Sequence, residues 1–292
     1  MERPRIAFAV VVSIAAAGAA CGLDVVGTAP VSTTSGEGGV TPPGTPPPPG
    51  SPPVDADGGG DLDASTCDAC APTAALYAHS ASTLYRIAAD GSATKIADFG
   101  GACDGIIVAD VAIDHTGMMM AVDDNDTSSA LYRVDPATAV CTATIGTLGR
   151  FCNGLTFAPA LSGGDELLLA SCDQALYRVN VATGATTAIG PFGGGWSASG
   201  DLAWLPGSGV YATLADPFGG NDRLGKIDVA TGVATRANVD LGRQGLWGLG
   251  FTGTKLVAFG GDIALAVEPT TGVATELPIK PGFTAYGAAG RP

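Results

Sequence analysis

One short phrase recurs along the chain. Its copies are Leu84-Tyr85-Arg86-Ile87, Leu131-Tyr132-Arg133-Val134, Leu176-Tyr177-Arg178-Val179, Leu224-Gly225-Lys226-Ile227 and, in degenerate form, Leu265-Ala266-Val267-Glu268. The leading leucines lie 47, 45, 48 and 41 residues apart. A period of this length points to a solenoid, an array or a radial repeat, in which each unit buries its apolar face against its neighbours. The strand content of a unit chooses among these.

Each unit holds four apolar runs with the length and β-branched content of strands. The first is Val111–Ile113, Leu155–Phe157, Leu202–Trp204 or Leu249–Phe251. The second is Met118–Val122, Leu167–Ala170, Val210–Leu214 or Leu256–Phe259. The repeated phrase is the third, and Cys141–Ile145, Ala185–Ile189, Ala234–Val239 or Ala274–Leu277 is the fourth. Between third and fourth runs sits a turn: Asn180-Val181-Ala182-Thr183-Gly184, Asp228-Val229-Ala230-Thr231-Gly232 and Glu268-Pro269-Thr270-Thr271-Gly272. Glycine there can take positive φ and close a hairpin. Ala139 stands where glycine is expected in the unit Asp135–Ala139. No stretch after residue 74 keeps a helical period.

Four antiparallel strands per unit, repeated, describe an all-β fold: a five-bladed β-propeller of four-stranded blades. The chain ends fit this. The domain, residues 74–292, opens at Ala74–His79 on a segment that matches a second strand. The missing first strand lies at the other end, where Ala285-Tyr286-Gly287-Ala288 parallels Leu246-Trp247-Gly248-Leu249. A C-terminal strand that completes the first blade also removes an open sheet edge.

Residues 1–20 read as an export signal: Arg3 and Arg5, the apolar Ile6–Ala17, then Gly18-Ala19-Ala20 before Cys21. The apolar run is shorter than the ~20 residues of a membrane span. The segment resembles a bacterial lipoprotein signal, although Gly18 stands where that signal prefers leucine. The resemblance implies lipidation at Cys21 and hence a membrane anchor. Ordinary cleavage, leaving Cys21 as a thiol or disulfide partner, is the other reading. By the sorting rule of enteric lipoproteins, Gly22 after the cysteine implies the outer membrane. Residues 21–73 then form a Pro-, Gly- and Asp-rich tether, with seven acidic and no basic side chains between 24 and 73. Such a segment cannot bury a core and should be disordered.

The formal net charge is −14. This argues against nucleic acid as a partner, because that interaction needs a basic face. Seven cysteines in an exported chain suggest disulfides. Cys152 precedes a first strand and Cys172 ends the second strand of the same unit, so they meet at one rim and are candidates to pair. Cys67 and Cys70 form a C-x-x-C in a polar segment. A structural bridge, local or to Cys103 or Cys141, fits better than zinc, which would need further ligands.

The two histidines, His79 and His115, fall at opposite rims, so a Ser-His-Asp set is not supported. His79 is expected to be a solvated rim side chain. Acidic residues are the alternative lead. Asp123, Asp124 and Asp126 share a loop with Asn125, and Asp110 and Asp201 occupy equivalent positions before first strands. Oxygen-rich loops of this kind suit calcium. Calcium is thus a candidate ion, and no other cofactor is expected. Trp196, Trp247, Phe192 and Phe218 lie in or beside Gly-rich loops and are candidate ligand contacts; plugging the channel or packing between blades is the other reading.

The units resemble those of bacterial extracytoplasmic propellers with L-Y-x-[IV]-[DN]-x-x-T-G repeats, near the NHL, YVTN and quinoprotein-like groups. The resemblance covers residues 74–292 and implies architecture. It carries no catalytic residue. Two functions remain open: a membrane-tethered binding or scaffold protein for an envelope protein or glycan, and a calcium-assisted glycosidase- or lactonase-like enzyme using rim carboxylates.

Overall fold

The computed structural model describes residues 76–88, 91–161, 163–277 and 282–290. The signal, the tether, Cys21, Cys67 and Cys70 lie outside the described residues. Among the described residues no helix is long and apolar enough to cross a membrane.

The fold is all-β, with five blades of four antiparallel strands. The first blade contains β1 (Leu76–His79), β2 (Thr83–Ile87) and β3 (Ala93–Asp98), followed by the two-residue β4 (Gly100–Gly101). The second is β5 (Val108–Ile113), β6 (Met119–Asp123), β7 (Ala130–Val134) and β8 (Val140–Thr147). The third is β9 (Cys152–Pro159), β10 (Glu166–Cys172), β11 (Ala175–Val179) and β12 (Thr186–Pro191). The fourth is β13 (Ser197–Leu205), β14 (Gly209–Ala215), β15 (Arg223–Ile227) and β16 (Ala234–Asp240). The fifth is β17 (Gly248–Phe251), β18 (Leu256–Gly260), β19 (Ile263–Val267) and β20 (Ala274–Glu276). Finally β21 (Gly287–Gly290) returns to pair with β1 in register His79 to Gly287, and so completes the first blade. The innermost strands β5, β9, β13, β17 and β21 each contact the next, and β21 contacts β5, so the ring is closed.

The second strands read as unbroken apolar runs because both of their faces are buried. Met119 and Ala121 of β6 enter the core shared with the first blade, while Met120 and Val122 enter the core shared with the third. Five such cores, one between each pair of neighbouring blades, hold the ring together. Burial of this apolar surface is the main favourable term in folding.

The repeated turn has a local cause. Asn180 Oδ1 accepts from Ala182 N at 2.9 Å, Asp228 Oδ1 from Ala230 N at 2.9 Å, and Asp135 Oδ1 from Ala137 N at 2.9 Å. These side chains mimic a backbone turn. The closing glycines Gly184, Gly232 and Gly272 have φ of 74°, 80° and 78°. Ala139 holds the same place with φ 57°. Each turn docks on the preceding blade: Gly184 lies against Gly146, and Gly232 against Gly190.

Two disulfides are present among the described residues. Cys152 pairs with Cys172 across β9 and β10, and Cys103 pairs with Cys141. Bonds of this kind fit an oxidising, extracytoplasmic compartment. The second one corrects the expectation that Cys103 or Cys141 anchors the C-x-x-C, since each is already the other's partner. It also explains a departure from four strands per blade. The Cys103 bridge holds the preceding segment against the outer strand of the second blade. There β4 adds as a parallel fifth strand, with Gly100 opposite Val140 and Gly101 opposite Cys141.

Candidate functional site

Aligning the five innermost strands on Val111, Leu155, Leu202, Leu249 and Ala288 places Asp110, Gly154, Asp201, Gly248 and Gly287 at one level of the channel. Two aspartates and three glycines therefore share a ring. An innermost strand has no ladder partner on its channel side, so its N–H groups there need another acceptor. The two carboxylates supply it. Asp110 accepts from the N–H of its own neighbour Val111 and from Leu155 N. Asp201 accepts from Leu202 N at 2.6 Å, Leu249 N at 2.7 Å and Ala288 N at 2.9 Å. One N–H from every blade thus converges on this pair. The glycines leave room for it: a Cβ on Gly287 would strike both Asp110 Oδ1 and His79 Nε2.

Asp110 and Asp201 are fully buried and within hydrogen-bonding reach of each other. Burial disfavours their charged forms and is the largest effect on both. It pushes Asp110 up to about 8, opposed only in part by the hydrogen bond with Asp201 and by the N–H groups of Leu155 and Val111. Asp201 is pushed well above the usual carboxylate range by burial and then by the Asp110 charge. His79 joins them from β1, with Nε2 at 3.7 Å from Asp110 Oδ1. Its Nδ1 is 2.9 Å from the Ser80 carbonyl, and burial lowers its pKa from 6.5 to about 4. His79 is therefore not the solvated rim side chain expected from the sequence; the closing strand β21 covers it. Likewise Asp110 and Asp201 do converge, but inside the channel wall rather than on an open rim.

Directly outward lies a cavity of about 300 Å³. Its wall includes the residue preceding each ring position: Ala109, Asn153, Gly200, Trp247 and Tyr286, one from each blade. Asp124, Phe151 and Ser199 complete the wall. Trp247 and Tyr286 stand side by side, with ring centroids 5.5 Å apart and planes inclined by 47°. Most of the polar groups are engaged by the protein itself. Ser199 Oγ donates to Asp222 Oδ2 at 2.6 Å, and the same oxygen accepts from Leu246 N at 2.8 Å, which fixes the loop leading to Trp247. Asn153 Nδ2 donates to the Ala198 carbonyl at 3.4 Å, and its Oδ1 faces Ser171 Oγ at 3.5 Å. Asp124 is exposed. Its carboxyl is raised by partial burial and then by the charges of Asp126 and Asp123.

The other loop carboxylates have separate tasks. Asp123 accepts from Ala130 N at 2.7 Å and Tyr132 Oη at 3.2 Å. Asp126 is exposed beside Asn125, which caps Thr127. Among the described residues, no group of three or more His, Cys, Asp or Glu side chains is placed to hold a metal ion. Asp110, Asp123, Asp124, Asp126 and Asp201 thus do not form one ligand cluster.

The four aromatic candidates separate by burial. Trp247 is 39% exposed at the cavity, and Phe218 is 96% exposed on the Asp216–Gly220 loop. Phe192 is 1% exposed and packs with Trp196 in the core between the third and fourth blades. Trp196 is further covered by Arg236, whose guanidinium lies 4.6 Å from the ring centroid. These two are core residues, not ligand contacts. Tyr286, Asn153 and Phe151 were not singled out from the sequence. The signal for Tyr286 was present, since it aligns with Trp247 in the repeat.

No protein-family model matches the chain, and no curated protein sequence matches it. Solved structures with a similar fold include a Bacteroides caccae protein of unknown function, at 10% identity and a TM-score of 0.41, covering 70% of this chain and 72% of that one. The Dos1 propeller matches at 10% identity and 0.39, covering 70% and 55%. Virginiamycin B lyase from Staphylococcus aureus matches at 14% identity and 0.39, covering 68% and 64%.

Proposed function

We propose that the protein is an extracytoplasmic binding protein, held to the outer membrane by lipid at Cys21 and a polar tether, and that it takes its ligand at the channel mouth. The observation that carries this reading is the cavity to which each of the five innermost strands contributes one residue. Ligand sites are commonly concave, partly aromatic and set where several elements converge. Beneath the cavity, Asp110 and Asp201 are engaged by backbone N–H groups, which favours a structural role for them. Two experiments test the reading. A photo-crosslinking residue in place of Tyr286 should capture an envelope component, protein or glycan, and Trp247→Ala should abolish capture. Cys21→Ser should release the protein from the membrane fraction. Failure of capture from envelope extracts would overturn the binding role.

One observation favours a second reading, a calcium-assisted glycosidase- or lactonase-like enzyme: two carboxyls and a histidine do meet in the channel. Paired carboxyls with separated proton affinities can divide acid and base roles. Turnover of a glycan or lactone in the presence of calcium, lost in Asp110→Asn, would establish it in place of the binder.

A further inference from the structure

We propose that the channel-mouth cavity binds an alkylammonium group, seated against Trp247 and Tyr286 and paired with Asp124. This inference rests on the cavity being a ligand site and adds its chemistry.

The lining decides against the other classes. Among the described residues no Lys, Arg or His contributes to the wall, so an anion would meet no countercharge there. The whole chain carries a formal charge of −14, which opposes approach of an anion further. A sugar needs several free donors and acceptors converging on its hydroxyls. Here the Ser199 hydroxyl and the Asn153 amide are already engaged with Asp222, Ala198 and Ser171. What remains is an aromatic corner and a carboxylate. Trp247 and Tyr286 both line the cavity with their ring planes inclined by 47°, and a cation is attracted to an aromatic face. Asp124 makes no side-chain hydrogen bond or ion pair among the described residues. The charges that act on it are the like charges of Asp126 and Asp123. A cation in the cavity would relieve that repulsion, whereas a neutral ligand would not. A compact ammonium head with a short alkyl stem also suits a space of about 300 Å³ better than a second macromolecular fold would.

An alkylammonium can belong to a free amine or to a lysine side chain of an envelope protein, and two probes separate these sources. The full chain is titrated with butylammonium chloride and with Nα-acetyl-lysine N-methylamide, following tryptophan fluorescence and heat, against potassium chloride at matched ionic strength. Saturable binding of either probe, absent with potassium, is the expected result; tighter binding of the lysine derivative points to a protein partner. Trp247→Leu should abolish the signal, and Asp124→Asn should weaken binding about fivefold. Asp124 is exposed and its side chain has no partner among the described residues, so the asparagine variant folds even if the leucine variant does not. No saturation by either probe below about 100 mM, while methyl β-glucoside saturates and depends on Trp247, overturns the ammonium assignment and leaves the mouth as a ligand site. Saturation that is unchanged in Asp124→Asn and Trp247→Leu places the amine elsewhere and also overturns it.

Discussion

His79 Nε2 faces Asp110 Oδ1 across 3.7 Å beneath the channel mouth, and neither atom has a hydrogen-bond partner among the described residues. The two come from different blades and are brought together only when β21 closes the ring over them. An unsatisfied buried polar pair is costly unless its protonation state adapts. Here burial drives all three ionisable groups toward their neutral forms, His79 downward and both aspartates upward.

This arrangement sets a pH dependence of stability. Between about pH 4 and 6.5 the unfolded chain holds a proton on His79 that the folded chain excludes, so this group makes stability rise with pH. Asp110 acts oppositely: between its ordinary 3.8 and about 8 the folded chain keeps a proton that the unfolded chain has released, so stability falls as pH rises. Asp201 has the same sign as Asp110. Two carboxyls outweigh one histidine, and the decline is steepest above pH 6.5, where the histidine no longer offsets it. Calorimetric melting between pH 4.5 and 8.5 should show this decline. Asp110→Asn should reduce the slope by roughly 1.4 kcal/mol per pH unit for each proton removed from the linkage. An unchanged slope in that variant would contradict the assignment.

Gly287→Ala tests the closing contact. The new methyl would strike Asp110 and His79 inside a fully buried cluster, with no flexible side chain to yield. We expect a loss of at least about 3 kcal/mol in urea unfolding, at the upper end of overpacking effects, because the closing strand cannot withdraw without opening the ring.

The inter-blade turns give a paired prediction. Gly232→Ala places a methyl against the Gly190 backbone at φ 80° and should cost about 2 kcal/mol or more. Ala139→Gly runs the other way. It relieves the left-handed conformation of a residue at φ 57°, but removes a fully buried methyl. The gain and the loss are each about 1 kcal/mol, so thermal melting should place this variant close to the parent.

Removing either disulfide should be costly, and somewhat more so for the longer loop. Loops of 20 and 38 residues correspond, on the chain-entropy account, to about 3 and 4 kcal/mol for Cys152–Cys172 and Cys103–Cys141. Cys172→Ala in a Cys152→Ala background should also weaken ligand binding, because Asn153 of the cavity wall follows Cys152 directly. Equal melting temperatures with and without reductant would refute the stabilising role.

Much of the architecture was readable before any coordinate, because it is local. Strand length, turn chemistry and a period near 45 residues are properties of contiguous segments, and five of them can close only as a ring. Even the last strand could be placed, since Tyr286-Gly287-Ala288 repeats the pattern Trp247-Gly248-Leu249. The inner strands were read too short. Asp110 in β5, Asn153 and Gly154 in β9, and Ser199, Gly200 and Asp201 in β13 interrupt the apolar signature ahead of each run, although they line the channel as strand.

The site itself was decided by tertiary structure. Asp110 and Asp201 stand in different blades, yet ring closure sets them side by side and turns two apparent rim ligands into acceptors for five blades' N–H groups. Phe192 and Trp247 both flank glycine-rich loops and look alike in sequence. Packing between the third and fourth blades buries the first, and the channel mouth leaves the second open. Local pattern determines which segments become strands; which side chains meet, and which still face solvent, depends on how five separately encoded units pack around one axis.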